Sequence, residues 1–345
     1  METAEKITLD PSKIMQVGTG FFGTKTLLTA VNMELFTILA KRELSGNEIQ
    51  TRLSLHSRSL YDFLDALVAM GFLKRKGIKE SAVYSNAEDS DFFLDKNKPS
   101  YIGGILEMCN NRLYPFWNDL EDGLKTGLPQ NETKNGGEPI FEAVYADPKK
   151  LREFVGAMAG VQMGNFMEFA KVFDFSKYKT LCDIGGAGGF LAAHVSMNSK
   201  HMQCSSMDLP QVEPIAKENV LNMGLKDKVK IISGDFFTDD FPKSDVITMG
   251  NILHDWGTKD KKMLIKKAYD ALPKGGAFVV IENIIDNDRS KNAFGLLMSL
   301  NMLIETAEGY DFSASDFSKM AIEAGFKSTS IMPLKGPTSA AIAIK

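Results

Sequence analysis

The second half of the chain alternates between short apolar strands and helices from residue 180 onward. Strands are predicted near 180–184, 203–207, 228–233, 244–249 and 276–282, then a helix near 314–324 and strands near 327–332 and 338–344. This alternation predicts an α/β fold with a Rossmann-like, doubly wound sheet. Ligands of such sheets bind beyond the carboxyl ends of the strands, so the candidate site residues are sought there.

The first of these strands runs into a glycine-rich turn, Asp183 to Gly189. Glycine permits the tight turn, and we expect free N–H groups there that could bind an anionic group. A nicotinamide dinucleotide site would need glycine at Leu191, and a phosphate-binding loop would need lysine at Phe190. The pattern Asp-x-Gly-Gly-x-x-Gly in this turn resembles motif I of S-adenosylmethionine-dependent methyltransferases and implies a methyl-donor cofactor, with ordinary strand-to-helix packing as the alternative.

Acidic residues follow the next two strands. Asp208 offers two carboxylate oxygens that can accept hydrogen bonds from both hydroxyls of a ribose. Asp235 offers a carboxylate to an exocyclic amine, and the adjacent Phe236 offers a ring to the face of an adenine. Acidic strand ends in succession therefore indicate a cofactor that contains a nucleoside.

One of the four histidines, His254, is predicted at a ligand-bearing strand end. Glu282 ends the next strand, and Asp311 lies in the loop after the following helix. A histidine flanked by carboxylates is an oriented general base, because a carboxylate fixes the tautomer and stabilises the imidazolium. A capping or packed histidine is the alternative.

The N-terminal part is mostly helical. Residues 12–41 predict two helices, and residues 45–94 have the order of a winged helix-turn-helix. Asp62 and Asp65 on the presumed recognition helix disfavour contact with phosphates, and the only basic cluster is Lys74 to Lys76. We therefore expect a dimerisation or packing module that does not bind nucleic acid.

Composition favours a cytoplasmic enzyme. The 345 residues have a formal net charge of −4, which provides no general attraction to a polyanion. No apolar run approaches the roughly 18 residues of a membrane span, and the first six residues lack the pattern of a signal peptide. The three cysteines lack metal-ligand spacing and are expected to be reduced. We expect no membrane partner.

These motifs together resemble the S-adenosyl-L-methionine (SAM)-dependent small-molecule O-methyltransferases, namely the plant caffeate and chalcone type and bacterial relatives from antibiotic pathways. The resemblance spans essentially the whole chain. Its marks are the Asp183 to Gly189 turn, Met207-Asp208-Leu209-Pro210, Gly234-Asp235-Phe236-Phe237, and His254-Asp255-Trp256 followed by Glu282. It implies a class I methyltransferase domain at 176–345, a helical connector at 99–175 that contributes to the substrate pocket, and a winged-helix-like dimerisation domain at 1–98.

The resemblance also implies a set of site residues. His254 would be the base, bracketed by Glu282 and Asp311. SAM, which leaves as S-adenosyl-L-homocysteine, would be bound without a metal by Asp183, Gly185, Gly186, Gly188, Asp208, Leu209, Asp235, Phe236, Gly250 and Asn251. An aromatic acceptor would be bound by Phe154, Met158, Gln162, Asp255, Met298, Asn301 and Met302, in a homodimer. For Gln162 and Asn301, a satisfied amide in a packed core is the alternative to ligand contact.

Two positions depart from the family pattern. Gly250 stands where plant members carry a lysine, and Asp311 is a shorter acid at the matching position. Three alternatives remain open: methylation of nitrogen or carbon, use of the sulfonium for decarboxylation or hydroxylation, and a ligand-sensing regulator with a winged helix.

Overall fold

The computed structural model describes residues 9–138 and 140–345. The chain forms two compact units, one ending at Tyr114 and the other spanning Pro115–Lys345. The predicted division into 1–98, 99–175 and 176–345 stays a prediction.

The first unit contains short helices and a small sheet. Its helices are α1 Ser12–Gly18, α2 Phe21–Asn32, α3 Leu35–Leu39, α4 Gly46–Leu53, α5 Leu60–Ala69, α6 Glu88–Leu94 and α7 Gly103–Met108. The strands β1 Leu44–Ser45, β2 Leu73–Lys76 and β3 Val83–Asn86 form an antiparallel sheet in the order β1-β3-β2. The predicted order of short helices followed by a β-ribbon is therefore present.

Local signals explain where these helices begin and end. Ser45 and Glu48 form a reciprocal capping box at the start of α4. The prediction of two helices over 12–41 was wrong, because the backbone turns at Glu34 (φ +56°) and separates α3 from α2. A single non-glycine residue with positive φ leaves little signal in the sequence.

The basic cluster on β2 is neutralised within its own unit. Each of its three cations forms an ion pair with an acidic side chain. The pairs are Lys74 with Glu88, Arg75 with Asp65, and Lys76 with Glu43. All three cations are therefore paired within the unit, and the expected lack of nucleic-acid binding stays a prediction.

The second unit is built on a seven-stranded sheet in the order β6-β5-β4-β7-β8-β10-β9. The strands are β4 Thr180–Ile184, β5 Gln203–Asp208, β6 Val229–Ser233, β7 Val246–Gly250, β8 Ala277–Glu282, β9 Ser328–Pro333 and β10 Ser339–Ile344. All neighbouring strands are parallel except β10, which runs antiparallel to both β8 and β9.

The remaining helices run before and between these strands. They are α8 Tyr114–Phe116, α9 Leu120–Thr126, α10 Ile140–Tyr145, α11 Pro148–Val172, α12 Phe190–Asn198, α13 Glu213–Asn222, α14 Thr258–Ala271, α15 Ala293–Glu305 and α16 Ala314–Ala324. Among the described residues, none of the helices is both long and apolar enough to cross a bilayer.

Two buried clusters cover the two faces of this sheet. Along β8, Phe278 and Val280 join one cluster, whereas Val279 and Ile281 join the other, as the two-residue period of a strand requires. Helices α14 and α16 contribute to the first cluster, and α11 and α12 to the second. This sandwich fixes the strands, so the carboxyl ends of β4, β5, β6, β7 and β8 lie along one edge.

Candidate active site

The glycine turn after β4 is held by hydrogen bonds within the protein. The N–H groups of Gly185 and Gly186 donate to the Met207 carbonyl at 2.9 and 3.3 Å, and the Ala187 N–H donates to Asp208 Oδ2 at 2.8 Å. Our expectation of free N–H groups was therefore wrong for these three. The end of β5 accepts their hydrogen bonds and so fixes the shape of the turn.

Steric contacts explain two of the glycines. A Cβ on Gly186 would collide with Ser206 Oγ and would lie 2.7 Å from Asp183 Oδ2. A Cβ on Gly188 would collide with the Phe190 ring. The turn thus lies closely over its own strand, and any larger residue would force it outward.

Two carboxylates, one buried and one half-buried, organise this side of the site. Asp183 is 2% exposed, and its Oδ1 accepts the Thr248 hydroxyl hydrogen at 2.7 Å. Burial raises the pKa of Asp183 to about 7 and that of Asp208 to about 6. Asp183 therefore lies beneath the turn, whereas Asp208 binds the N–H groups of Ala187 and Leu209 at its rim.

The loop after β6 contacts the histidine segment. The ring of Phe237 packs edge-on against Trp256, with centroids 4.6 Å apart, and Phe236 lies 6.1 Å from the same indole. Lys267 donates to the carbonyls of Phe236 and Phe237 at 2.6 and 3.1 Å, and Asp235 Oδ1 accepts the Phe237 N–H at 2.8 Å. These hydrogen bonds therefore hold in place the loop that is predicted to contact adenine.

Gly250 ends β7, and Asn251 follows it. A Cβ on Gly250 would lie 3.0 Å from the Phe166 ring, so a lysine, as in plant members, would require that ring to move. Asn251 has a left-handed backbone (φ +52°), and its buried Oδ1 has no hydrogen-bond partner within the described part of the chain. An unpartnered buried acceptor of this kind is what a donor group of a ligand would satisfy.

His254 lies between two carboxylates. The residue is 6% exposed, with Nε2 3.5 Å from Asp255 Oδ1 and Nδ1 3.5 Å from Asp311 Oδ1. Both distances exceed a normal N–H···O hydrogen bond, so these are electrostatic contacts. Helix α15 packs against the turn that carries His254, and Ser299 of that helix accepts the Asp311 N–H at 3.1 Å.

Glu282 holds the backbone of the same turn. Its Oε1 accepts the N–H groups of Ile252, Leu253 and His254 at 3.2, 2.8 and 3.3 Å. Its Oε2 is buried and has no hydrogen-bond partner among the described residues. One side of the carboxylate thus fixes the turn, and the other side contributes charge to the site.

The carboxylates around His254 act on the charge state of its imidazole. Burial disfavours the imidazolium, but Asp255, Asp311 and Glu282 outweigh it and raise the pKa of His254 to about 10. Burial raises the pKa of Asp255 to about 6 and that of Glu282 to about 7. The imidazolium is therefore favoured in this structure.

The cluster of His254, Glu282 and Asp311 is compact enough to coordinate a cation. One nitrogen of His254 and one oxygen each of Glu282 and Asp311 lie within 4.8 Å of one another. The absence of a metal stays a prediction. The chain itself brings a positive charge to this cluster, the ammonium of Lys261, whose charge interacts with Glu282, Asp311 and Asp255.

Sequence reasoning missed Lys261. The residue is fully buried. It lies at helical spacing with Leu264, Ile265 and Ala268, which are buried on the same face of α14. A lysine on the apolar face of an amphipathic helix was the signal that could have found it.

Sequence reasoning also missed Tyr145, at the end of α10. Burial raises the pKa of this phenol, and the charges of Asp208 and Asp255 raise it further. Tyr145 is thus close enough to interact with a carboxylate of the glycine-turn side and with one beside His254. Its spacing in the sequence gave no signal for this position.

Six of the seven residues predicted to contact an acceptor lie on α11 and α15, and the seventh, Asp255, lies next to His254. Gln162 Oε1 accepts from Asn165 at 3.3 Å, and Asn301 Oδ1 accepts from the Trp117 indole at 2.9 Å. Each amide oxygen therefore has a protein partner, as the packing alternative requires, and contact with an acceptor through the amide NH2 group stays a prediction. Met302 is buried, and the other three, Phe154, Met158 and Met298, are half-buried.

The fold and this arrangement of strand-end residues define an O-methyltransferase, and comparison with known proteins shows the family. The O-methyltransferase domain family matches residues 117–327, and the O-methyltransferase dimerisation domain family matches residues 15–96. The chain belongs to the O-methyltransferase family.

Individual relatives agree with this assignment. The chain is 38% identical to the tetracenomycin polyketide synthesis 8-O-methyl transferase TcmO of Streptomyces glaucescens, over 97% of each chain. It is 29% identical to the N,N-dimethyltransferase OxyT of Streptomyces rimosus, over 91% of this chain and 90% of OxyT. The crystal structure of human N-acetylserotonin methyltransferase in complex with SAM matches 99% of each chain at 25% identity and a TM-score of 0.90.

The predicted family, fold class and enzyme class are confirmed. SAM is confirmed as the methyl donor at the level of the family, since a solved relative binds it.

Proposed function

We propose that this enzyme transfers a methyl group from SAM to a phenolic hydroxyl of an aromatic or polycyclic small molecule, with His254 as the general base. The observation that carries the proposal is the position of the His254 imidazole, which lies 3.5 Å from both Asp255 and Asp311 on a turn fixed by Glu282.

The strand ends of the second unit fit the donor. The glycine turn has no room for side chains at Gly186 and Gly188, and Asn251 offers an unpartnered buried oxygen. We assign Gly185, Gly186, Gly188, Gly250 and Asn251 to the donor site, together with the residues at the ends of β5 and β6. Those residues are Asp208, Leu209, Asp235 and Phe236. Asp183 supports this site from beneath the turn.

When bound, SAM supplies an electrophilic methyl group on a positively charged sulfur. His254 accepts the proton of the acceptor hydroxyl, while Asp255 and Asp311 stabilise the imidazolium that results. A phenol has a reference pKa of about 10 and is mostly protonated at neutral pH, so a base is required. Glu282 keeps the imidazole in place through the backbone of its turn.

The charge state of His254 depends on its surroundings. Only a neutral imidazole accepts a proton, whereas the carboxylates favour the imidazolium when no ligand is bound. A nearby positive charge lowers the pKa of a histidine. We therefore expect His254 to become a competent base when a cationic ligand enters the site.

The acceptor is proposed from the relatives and from the residue types around the site. TcmO acts, by its name, at the 8-O position in tetracenomycin polyketide synthesis. Three of the seven proposed acceptor residues are methionines and one is Phe154, and methionine adapts readily to flat ring systems. We propose Phe154, Met158, Met298 and Met302 as apolar contacts, with Asp255, Gln162 and Asn301 as the polar ones.

The test is His254→Ala, assayed with hydroxylated aromatics and isotopically labelled SAM. We expect turnover to fall by about 10²–10⁴-fold, the usual range for a lost general base. Donor affinity, measured by calorimetry, should stay close to that of the parent protein. His201→Ala is the matched control, because His201 contacts the Phe175 carbonyl away from the cluster. Unchanged turnover in His254→Ala would reject the assignment.

A second candidate is methylation of an amine, favoured by the similarity to the N,N-dimethyltransferase OxyT. An amine acceptor must also lose a proton, so the same base would serve. Mass spectrometry of products from a paired panel of phenols and anilines distinguishes the two. Reaction of the anilines alone would replace the O-methyl proposal, and a product without an added methyl group would indicate another use of the sulfonium.

We also propose a homodimer formed through the N-terminal unit. The matched family in residues 15–96 is a dimerisation domain, and α1 and α2 expose large apolar residues. These are Ile14, Val17, Phe21 and Phe22. Light scattering should give twice the mass of the 38.0 kDa chain, and Phe22→Asp should shift it toward the monomer. A cytoplasmic location without membrane or nucleic-acid partners stays a prediction.

A further inference from the structure

Lys261 lies at a position where a charged side chain is energetically unfavourable. Its side chain is completely buried, and it sits one turn inside the N-terminal end of α14. Burial of an ammonium is unfavourable, and the helix dipole further disfavours a cation near an N-terminal end. An apolar residue such as methionine would pack there without either cost, so the charge itself needs an explanation.

The contacts of Lys261 tie it to the segments on both sides of the histidine. Its ammonium donates to the Trp256 carbonyl and lies 3.5 Å from the centroid of the Tyr310 ring, an arrangement typical of a cation–π contact. Trp256 follows Asp255 in the sequence, and Tyr310 precedes Asp311. One side chain therefore links the two loops that carry these carboxylates.

The charges that face Lys261 come from three segments. The turn after β7, the end of β8 and the loop after α15 contribute acidic groups whose charges act on its ammonium, namely Asp255, Glu282 and Asp311. Helix α16 also packs against α14, where Glu323 pairs with the exposed Lys262. The same three carboxylates act on His254. The ammonium and the imidazole thus share one buried set of negative charges.

We propose that Lys261 is a positioning residue for methyl transfer, whose buried ammonium offsets part of the charge of Asp255, Glu282 and Asp311 and so makes the His254 imidazolium easier to deprotonate once the cationic donor is bound. This inference rests on the proposed role of His254. It explains why a lysine is retained at this position despite its energetic cost. Without a counter-charge, the three carboxylates would hold the proton on the imidazole too tightly. The hydrogen bond to Trp256 and the contact with Tyr310 fix where the charge lies.

The test compares Lys261→Met with Lys261→Gln, which keeps an N–H donor but not the charge. Lys262→Met is the matched control, since Lys262 lies next to Lys261 on α14 and pairs at 2.7 Å with Glu323. Turnover is measured from pH 5.5 to 10 at saturating substrates, and the titration of His254 is followed by NMR. With four histidines in the chain, a spectrum of His254→Ala assigns its signal.

Loss of a nearby positive charge raises the pKa of a histidine, by about 1–3 pH units for a close partner. We therefore expect both Lys261 variants to move the acidic limb of turnover and the His254 titration to higher pH. Near neutral pH, turnover should fall about tenfold for each pH unit of displacement and should recover at high pH. A purely structural role would lower turnover at every pH without moving the limb.

Each outcome bears on the inference. If Lys261→Met shows the pH profile of turnover and the His254 titration of the parent protein, the inference is overturned. If the methionine variant does not fold, the same result in Lys261→Gln overturns it. A parental profile in the glutamine variant alone would assign the effect to the hydrogen bond and also overturn the role of the charge. If His254→Ala stays active while the His254 signal still shifts in the Lys261 variants, the proposed base is wrong and the effect of Lys261 on its charge stands.

Discussion

The glycine turn and the His254 cluster lie along the same edge of the sheet, yet they differ in how completely their polar atoms are hydrogen-bonded. In the turn, three N–H groups and both oxygens of Asp208 have partners within the protein. In the cluster, His254 Nδ1, Glu282 Oε2 and both oxygens of Asp311 are buried without hydrogen bonds among the described residues.

This difference separates a scaffold from a reactive site. Satisfied polar groups make a rigid cradle, whose shape is set before any ligand arrives. Unpartnered buried groups are destabilising, and they are retained where their charge or basicity is used. Changes in the cluster should therefore affect turnover most, and changes in the turn should affect donor binding and stability.

The largest effect is expected for Glu282→Ala. Three backbone N–H groups lose their common acceptor, and each buried group left unpaired costs about 1–3 kcal/mol. We expect a strong loss of turnover together with a lower melting temperature. Glu308→Ala is the control, because Glu308 is exposed. Parental turnover in Glu282→Ala would show that the turn needs no such anchor.

Asp208→Asn should affect the donor and not the chemistry. Its carboxylate is a charged acceptor at the rim of the turn, and hydrogen bonds to charged groups contribute about 1.5–3 kcal/mol. The KM for SAM should rise by about 10- to 150-fold, with kcat changed less. A fall in kcat at unchanged KM would show that Asp208 acts in the chemical step, like the His254 cluster, and not in donor binding.

Gly186→Ala tests the steric limit of the turn. The added Cβ would collide with Ser206 Oγ, so we expect a loss of about 1–3 kcal/mol in the free energy of unfolding, measured with urea. Gly156→Ala is the matched control. Gly156 lies in α11 with open space around it, and alanine there should stabilise the helix by about 0.5–1 kcal/mol.

The last prediction concerns pH. The pKa of Asp183 is raised by burial from 3.8 to about 7 in the folded protein, so its contribution to stability is fully present below pH 3.8 and is lost as pH rises through about 7. Asp183→Asn keeps an acceptor for Thr248 but does not ionise. The melting temperature of the parent should thus fall relative to the variant between pH 5 and 8, by about 2–4 °C for each kcal/mol. If the melting temperatures of the parent and of Asp183→Asn change in parallel with pH, the raised pKa of Asp183 is contradicted.

Much of the architecture could be predicted because it depends on local pattern. Each of the seven predicted strands of the sheet lies within two residues of an observed strand at both ends, since short apolar runs that alternate with helices leave few alternatives. His254 and Glu282 were expected together because they follow neighbouring strands, and Asp311 was added to them by the family resemblance.

What could not be predicted depends on contacts between distant segments. The partners of the turn's N–H groups lie on β5, and the Trp117 partner of Asn301 is far away in the chain. Lys261 was overlooked because its carboxylates come from three separate loops. Local periodicity shows that such a residue is buried, but not what it meets.

The placement of β10 has a consequence for the order of folding. Ser339 of β10 pairs with Glu282 at the end of β8, although 56 residues separate the two strands, and β9 then pairs with β10. Contacts between distant segments form slowly, because the loop between them must first be closed. The strand that carries Glu282 therefore gains its second neighbour, β10, through a longer loop closure than its first, β7.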